Sequence, residues 1–305
     1  MDVLLREAVP DDAYPAAQLL IEVFPHLPVT EHQVRWHLTD PAADEAARHV
    51  AAVDGQRLVG WARSTLDPEE AGHGRVLIAV MPGWRLGGLG SALLADAELH
   101  LAAAGATTLH SRALDDETIR TFCATRGWHP SGWARYLSLD LASIPAGAAP
   151  VPPDGVTLLP AWTLDHLYPL YQVHAECVED EPRDVPPTSL SYERWQEEVW
   201  RAPGHDPASG VIAMLGDRLV SFSLADVDRS SGRMWSTMTG TVRGWRGRGL
   251  ATLVKATALH RAAERGLRIA WTVGSDSAPM TAVNTRLGYR PTLTQVILVR
   301  HLTEQ

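Results

Sequence analysis

The feature that most constrains the fold is an internal repeat at a fixed spacing. Residues 83–90 read GWRLGGLG and residues 244–251 read GWRGRGLA, which are identical at five of eight positions. A second match, RGWHP at 126–130 against LGYRP at 287–291, lies at the same offset of 161 residues. Because both matches share one offset, the region between them has almost no net insertion, which chance rarely produces. The sequence therefore predicts a duplicated domain.

A proline-rich stretch near the midpoint separates the two copies. Residues 141–155 read LASIPAGAAPVPPDG, with four prolines among small residues and no hydrophobic periodicity. Proline disfavours helix and sheet interiors, and small residues add little to a core, so this composition is typical of a linker. We expect an N-terminal domain over 1–141, a linker over 142–154 and a C-terminal domain over 155–305, each close to the common domain size.

The predicted elements follow the same order in both halves. A strand and two helical segments precede a hairpin, whose turns are Asp54-Gly55 and Gly216-Asp217. A further strand then runs directly into a glycine-rich turn that opens an amphipathic helix. A strand, a short helix and a glycine-aromatic pair close each half. The glycine-rich turn therefore occupies the same place in both halves.

The repeated turn is predicted to bind an anion. Backbone N–H groups and the start of a helix favour negative charge there, and glycines remove the Cβ atoms that would hold a phosphate away. Neither turn has the lysine of a P-loop, and both lack the third small residue of a dinucleotide-binding fingerprint. The pattern that fits is Arg-x-x-Gly-x-Gly/Ala, at Arg85, Gly88 and Gly90 and again at 246, 249 and 251.

With these residues the chain resembles the GNAT superfamily of acyl-CoA-dependent N-acetyltransferases. The first copy fits the fuller pattern V-x-P-x-x-R-x-x-G-x-G through residues 80–90. The second copy departs from it at Thr241 and Arg243, but its run from Pro279 to Tyr289 resembles the last helix and following strand of many bacterial members. The resemblance covers nearly the whole chain outside the linker, as in tandem members similar to mycothiol synthase, whose C-terminal copy is catalytic.

The resemblance implies an α/β (α+β) fold of two GNAT-like domains, each a splayed, mixed, mostly antiparallel sheet of six to seven strands with about four helices. It also implies acetyl-CoA, or another acyl-CoA, as co-substrate. The pyrophosphate would lie on the amides of the turn, and the pantetheine arm would pair with the strand before it. The residues expected to contact the cofactor are Val80, Met81, Arg85, Gly87, Gly88, Gly90, Gly240, Thr241, Val242, Arg246, Gly247, Arg248, Gly249, Leu250, Ala251 and Asn284.

The usual acid and base of the family are not found by the same comparison. Many members carry a tyrosine four residues before the glycine of the glycine-aromatic pair, where this chain has Cys123 and Asn284. The strand before the second turn has no carboxylate. The substitutes are Asp226, Asp228 or a water chain in the second half, and His73, Glu69 or Glu70 in the first. Each of these side chains also fits an ordinary solvated turn.

An acidic stretch suggests where the acceptor binds. Between Asp165 and Glu198 there are nine acidic residues against two arginines. In the family, the region between the first two helices walls the acceptor site, so this stretch would attract a protonated amine. The predicted contacts are Glu176, Glu179, Asp180 and Glu181. A solvated, charged loop is the other interpretation.

Three function classes remain open. The first is an acyl-CoA-dependent N-acyltransferase that acts on a small-molecule or peptide amine. Its C-terminal copy would be catalytic, and its N-terminal copy would bind CoA or be structural or regulatory. The second is a non-catalytic acyl-CoA-binding or sensing protein, which the missing tyrosine and glutamate favour. A scaffold that binds no CoA at either turn is a third option.

Composition excludes other classes. The net charge of −9 argues against a protein that grips nucleic acid, and no apolar run is long enough to span a membrane. Two cysteines cannot form a disulfide framework, and the thirteen histidines show no zinc-binding spacing, so no metal is expected. The first residues carry acids where a signal peptide would be basic, so a cytoplasmic location is expected.

Overall fold

A computed structural model of the chain describes residues 3–40, 45–68, 70–144, 150–180, 190–274 and 278–302. The chain divides into two units, which are described separately. The first unit contains residues 1–135 and 293–305, and the second contains residues 136–292. Within the described residues, each unit has a six-stranded mixed sheet and four α-helices, which confirms the predicted fold class.

The first unit has its sheet in the order β1-β2-β3-β4-β5-β12. The strands are β1 (Val3–Glu7), β2 (Arg48–Asp54), β3 (Arg57–Leu66), β4 (His73–Val80), β5 (Thr108–Leu114) and the second half of β12 (Arg290–His301). Strands β1 to β4 are antiparallel, whereas β4 and β5 are parallel. The helices are α1 (Ala13–Val23), α2 (Glu31–Thr39), α3 (Leu89–Ala103) and α4 (Glu117–Ala124).

Local sequence sets several helix boundaries in the first unit. The Thr30 hydroxyl accepts from Gln33 N while the Gln33 side chain accepts from Thr30 N, a capping box that begins α2. The Asp116 carboxylate caps α4 in a similar way. Helix α3 buries one face, through Leu93, Leu94, Ala97 and Leu101. Its apolar spacing therefore seats it on the sheet.

The second unit repeats this arrangement, with its sheet in the order β6-β11-β10-β9-β8-β7. The strands are β6 (His129–Asp140, through its second half), β7 (Val156–Pro160), β8 (Val211–Leu215), β9 (Arg218–Asp228), β10 (Arg233–Thr241) and β11 (Ile269–Val273). The helices are α5 (Tyr168–Glu179), α6 (Tyr192–Trp195), α7 (Leu250–Glu264) and α8 (Ala278–Arg286). A π-helical turn, Gln196–Trp200, extends α6.

The last strand of each half belongs to the other unit. Residues 136–140 of β6 pair with β11 in the second unit, and residues 295–301 of β12 pair with β5 in the first. The units therefore differ from the contiguous halves expected from the sequence, because strand pairing, rather than chain order, decides where each sheet closes. Residues 145–149 of the expected linker lie outside the described part of the chain.

In each unit the two parallel strands separate next to the glycine-rich turn. The pairing of β4 with β5 ends at Val76, and that of β10 with β11 ends at Trp235. Beyond these points each pair opens into a cleft. A β-bulge at Thr237 shifts the register of β10 against β9, whereas β4 pairs with β3 without a shift. The bulge re-aims the backbone of β10 where the cleft begins.

Candidate functional site

The two glycine-rich turns have the same backbone geometry. Gly88 (φ +88°) and Gly249 (φ +79°) are left-handed N-caps of α3 and α7, a conformation that glycine adopts without steric cost. The first intrahelical bonds run from Ala92 N to Gly88 O and from Leu253 N to Gly249 O, both at 3.0 Å. The preceding amides therefore have no intrahelical acceptor, and the helix dipole adds positive charge beside them. Both turns can hold a phosphate group.

The arginines of the two turns hold the backbone in place. Arg85 Nε donates to Val80 O at 3.1 Å, and Arg246 Nε donates to Thr241 O at 2.9 Å. Each guanidinium thus ties the end of the strand to the turn that follows it. The helix dipole disfavours a cation near the start of a helix. The hydrogen bond to the strand gives a structural reason for an arginine at this position.

The first unit contains an apolar cleft of about 480 Å³, called here the N-terminal cleft. Of the cofactor contacts expected in this copy, Val80, Arg85, Gly88 and Gly90 line it, whereas Met81 and Gly87 do not. Its inner wall is formed by Leu94, Cys123 and Trp128. All three are buried, and burial raises the pKa of the Cys123 thiol.

The second unit contains a cleft of about 490 Å³, called here the C-terminal cleft. It is lined by most of the contacts expected in this copy: Gly240, Thr241, Arg246, Gly247, Gly249, Leu250, Ala251 and Asn284. Two expected contacts are absent from this lining. Val242 is buried and lines a separate recess, and the Arg248 guanidinium lies 4.3 Å from the Trp245 ring centroid.

Gly240 is required by packing against α5. A Cβ at this position would lie 2.5 Å from Cys177 Sγ and 2.8 Å from a Phe222 ring carbon. The absence of a side chain therefore lets β10 approach the helix closely. Cys177 also lines the C-terminal cleft, where burial raises the pKa of its thiol to about 11. At neutral pH it is a thiol and a poor nucleophile.

Lys255, which no sequence motif singled out, lies on the inner wall of the C-terminal cleft. Its side chain is 1% exposed, its Nζ donates to Asn284 Oδ1 at 2.8 Å, and Nζ lies 4.9 Å from the Tyr289 ring centroid. Burial lowers its pKa to about 7. The available signal was that this is the only lysine in the chain, six residues after Gly249 on the apolar face of α7.

Tyr289 and Ser236 extend the same buried group. The Tyr289 and Ser236 hydroxyls are 3.0 Å apart. Both residues are buried, and burial raises the pKa of the Tyr289 phenol. We call Ser236, Lys255, Asn284 and Tyr289 the polar cluster. In the first copy, the 161-residue offset places Leu94, Cys123 and Trp128 at the positions of its last three members. The inner walls of the clefts therefore differ in chemistry although their turns match.

The two carboxylates expected to take part in catalysis lie outside the C-terminal cleft. Asp228 is buried and accepts from Ser230 N at 3.0 Å and Ser231 N at 3.3 Å, as well as from both serine hydroxyls. It therefore holds the turn between β9 and β10. Asp226 lies opposite Trp235 in the sheet, with an oxygen 3.9 Å from His205 Nδ1. The geometry gives neither residue access to the turn.

The acids expected at the acceptor site lie at the end of α5 and form ion pairs with arginines. Asp180 receives two hydrogen bonds from Arg243, at 2.9 and 2.8 Å, and one from Arg246 at 2.6 Å. The Arg243 hydrogen bonds, followed by that of Arg246, hold the pKa of Asp180 at about 2. Glu176 accepts from Arg243 N at 2.6 Å, and Glu179 lies 3.6 Å from the same guanidinium. Glu181 lies outside the described residues.

Two of the alternative acid–base residues of the first copy, His73 and Glu70, do not line the N-terminal cleft. His73 Nδ1 lies 2.8 Å from Glu70 Oε2 and 2.9 Å from His110 Nε2, and Glu69 is outside the described residues. In the part of the chain that is described, this is the group whose donor atoms could share a metal ion. The same spacing fits hydrogen bonds among the three side chains.

Comparison with known proteins agrees with this geometry. The chain matches the Acetyltransferase (GNAT) family over residues 11–128 and 167–289. The fold is similar to that of a tandem GNAT protein from the clavulanic acid biosynthesis pathway, with a TM-score of 0.78, 24% identity and 100% of both chains covered. It is also similar to a GCN5-related N-acetyltransferase from Sphaerobacter thermophilus, with a TM-score of 0.70, 20% identity and 98% and 95% of the two chains covered.

The search of curated proteins found no match. No helix among the described residues is long and apolar enough to cross a bilayer. The family matches together cover more than half of the chain, and one falls in each copy of the repeat. The chain therefore belongs to the GNAT family of acetyltransferases, which transfer acyl groups from CoA, and it carries the domain of this family twice.

Proposed function

We propose that the protein is an acyl-CoA-dependent N-acyltransferase whose reaction takes place in the C-terminal cleft. It would transfer an acetyl or other short acyl group to a primary amine, by direct attack of the amine on the thioester. One observation carries the choice of cleft. The turns match, but Ser236, Lys255 and Asn284 of the polar cluster line the C-terminal cleft, whereas the N-terminal cleft has Leu94, Cys123 and Trp128 on its inner wall. Acyl transfer needs groups that move protons.

The shape of the C-terminal cleft supports the same choice. The pyrophosphate of CoA would lie on the amides that follow Arg246, and the pantetheine arm would run beside β10 toward the bulge. Thr237 is the extra residue of that bulge and lines the cleft. A bulge leaves backbone groups unpaired in the sheet. These groups would hydrogen-bond the arm or the thioester.

The N-terminal cleft would bind an acyl-CoA without turning it over, or serve a structural or regulatory role. Its turn also has a left-handed glycine, Gly88, and a hydrogen bond from Arg85 Nε to the end of the preceding strand. Its inner wall offers an apolar surface to an acyl chain. The second candidate function, acyl-CoA binding or sensing without catalysis, is supported by this copy, because Leu94, Cys123 and Trp128 stand where the second copy has Lys255, Asn284 and Tyr289.

The acidic end of α5 is proposed to receive the amine. Glu176, Glu179 and Asp180 outnumber the two arginines that pair with them, and the Glu179 side chain is 53% exposed. A protonated amine would be attracted to this charge and would lose its proton before attack. Accordingly, Glu179→Gln should raise the KM for a cationic amine and leave the affinity for acetyl-CoA unchanged.

The test is calorimetric titration with acetyl-CoA, followed by an amine screen that detects free CoA thiol. Gly249→Asp places a negative charge in the C-terminal turn, and Gly249→Asn is the matched neutral control, since both residues tolerate a left-handed backbone. Gly88→Asp and Gly88→Asn form the equivalent pair in the first copy. Circular dichroism would verify that each variant is folded.

The expected result is that Gly249→Asp abolishes amine-dependent release of CoA, whereas Gly249→Asn retains much of it. Gly88→Asp should retain turnover, whether or not it loses a binding event. Turnover that depends on Gly88 rather than Gly249 would move the reaction to the N-terminal cleft. A folded wild-type protein that binds no acetyl-CoA would overturn the acyltransferase proposal and leave a scaffold.

A further inference from the structure

The 305-residue chain has 26 arginines and one lysine, and that lysine is buried at the inner wall of the C-terminal cleft. Arginine keeps its charge under all physiological conditions, whereas lysine can lose its proton when buried. The one lysine among these cationic residues therefore stands at a buried position, where a permanent charge would carry a large desolvation penalty. The position favours an amine that can be either charged or neutral.

The fold does not require a lysine at this point. The same position of the first copy is Leu94, which is 6% exposed on the equivalent helix. The neighbouring helix position is buried in both copies, as Leu93 and Val254. An apolar residue is therefore compatible with this helix and this sheet. The second copy buries an amine at this position, whereas the first copy buries an apolar side chain there.

The side chains shown in contact with the Lys255 amine are uncharged. Asn284 Oδ1 accepts one hydrogen bond and the Tyr289 ring faces the ammonium, but neither carries a charge at neutral pH. Ser236 of β10 contributes a hydroxyl beside Tyr289. The other titratable groups that line this cleft are Cys177, Asp180 and Arg246, and the last two are bonded to each other. Among the described residues no carboxylate is shown paired with Lys255, and its pKa of about 7 reflects burial.

We propose that Lys255 is the acid–base residue of the acyl transfer, giving a proton to the CoA sulfur and regaining one from the amine nitrogen. This assignment rests on the proposed function of the C-terminal cleft. It takes the place of Asp226 and Asp228, which lie outside that cleft.

The step balances without a further reactant. The lone pair of the neutral amine forms the C–N bond, and the C–S bond breaks with its electron pair on sulfur. The ammonium of Lys255 protonates the thiolate, which leaves as CoA thiol. The neutral Lys255 amine then accepts the proton that the acylated nitrogen loses. The lysine ends in its starting state, and the net products are the amide and CoA thiol.

The single lysine makes a direct test possible. Protein labelled with ¹⁵N at lysine Nζ gives one side-chain lysine signal, whose pH titration is followed with the sulfonic acid of CoA, which carries an anion at the sulfur at every pH used, and with desulfo-CoA, which lacks the sulfur. If Nζ lies against the sulfur, the sulfonate should raise the titration midpoint by about one pH unit or more over that with desulfo-CoA. A lysine that only holds Asn284 in place would titrate identically with both ligands, and that result would overturn the assignment.

A second measurement tests proton donation to the sulfur. In a Gly88→Asp background, which confines CoA to the C-terminal cleft, kcat and the affinity for acetyl-CoA are measured with an amine found in the screen. Lys255→Leu, which installs the residue found in the first copy, should lower kcat by about a hundredfold or more while retaining the affinity for acetyl-CoA. An unchanged kcat would count against Lys255. If wild-type protein binds no CoA, the proposed function fails and takes this assignment with it. Binding with an unmoved lysine signal removes the assignment alone.

Discussion

Burial of Lys255 should make the stability of the folded protein rise with pH above neutrality. Its pKa falls from 10.5 to about 7 in the folded state, whereas an unfolded lysine keeps the ordinary value. Between these limits the unfolded chain binds up to one more proton than the folded chain. The free energy of unfolding therefore increases with pH. The penalty is present in full below the folded pKa and disappears above the unfolded one.

The size of the effect follows from the two pKa values. One pKa unit corresponds to about 1.4 kcal/mol, and the slope approaches that value per pH unit in the middle of the window. Near pH 7 the folded lysine is half protonated, so the slope is shallower there. The expected gain in unfolding free energy between pH 7 and pH 9 is about 2 kcal/mol.

Urea unfolding followed by tryptophan fluorescence at pH 7, 8 and 9 measures this gain. Other groups also titrate over this range, so the quantity to compare is the difference between wild type and Lys255→Leu at each pH. Wild type should gain about 2 kcal/mol relative to the variant from pH 7 to pH 9. A difference that stays constant would show that Lys255 keeps its proton on folding, and the argument from burial would fail.

Three further predictions concern the backbone and the turns. Gly240→Ala should lower the free energy of unfolding by about 1–3 kcal/mol through overpacking against α5, while Gly244→Ala, which has open space for its Cβ, should change it little; chemical denaturation compares the two. Leu86 has a left-handed backbone (φ 66°) where the second copy has Gly247, so Leu86→Gly should stabilise by up to about 1 kcal/mol and Gly247→Leu should destabilise by a similar amount in thermal melts. Asp228→Ala should cost about 1–3 kcal/mol by leaving the β9–β10 turn unsatisfied, and turnover per folded molecule should match wild type, since an Asp228 that acted on substrate would lower kcat instead.

The sequence was sufficient to predict the architecture because the repeated elements are local. The turn, its glycines and the helix that follows are all encoded within about ten residues, and the resemblance to the GNAT family attaches to those residues. The predicted fold class and the duplication are confirmed by the six-stranded sheets and the two family matches. Most of the residues predicted to contact the cofactor line the clefts, for the same reason.

The polar cluster could not be predicted in this way, because its members come from distant elements. Ser236 lies on β10, Lys255 on α7 and Asn284 on α8. Lys255 contacts both Asn284 and Tyr289, and the Tyr289 hydroxyl lies beside that of Ser236. The prediction that Asp226 and Asp228 are catalytic did not identify residues of the cleft, for a related reason. Both aspartates precede β10 closely in sequence. They lie at the end of β9 that pairs with the start of β10, away from the glycine-rich turn.

The exchanged strands bear on how the protein is made. Strand β5 pairs with β12, and the residues that meet at one end of this pair, Thr108 and His301, are 193 positions apart. The first unit therefore cannot complete its sheet on the ribosome until β12 has been synthesised. Long chains commonly fold domain by domain in the order of synthesis. In this chain the first unit lacks one of its strands until most of the second unit has been made. Closing so long a loop also slows folding. Cutting the gene at the proline-rich stretch would leave both products with an unpaired, aggregation-prone sheet edge.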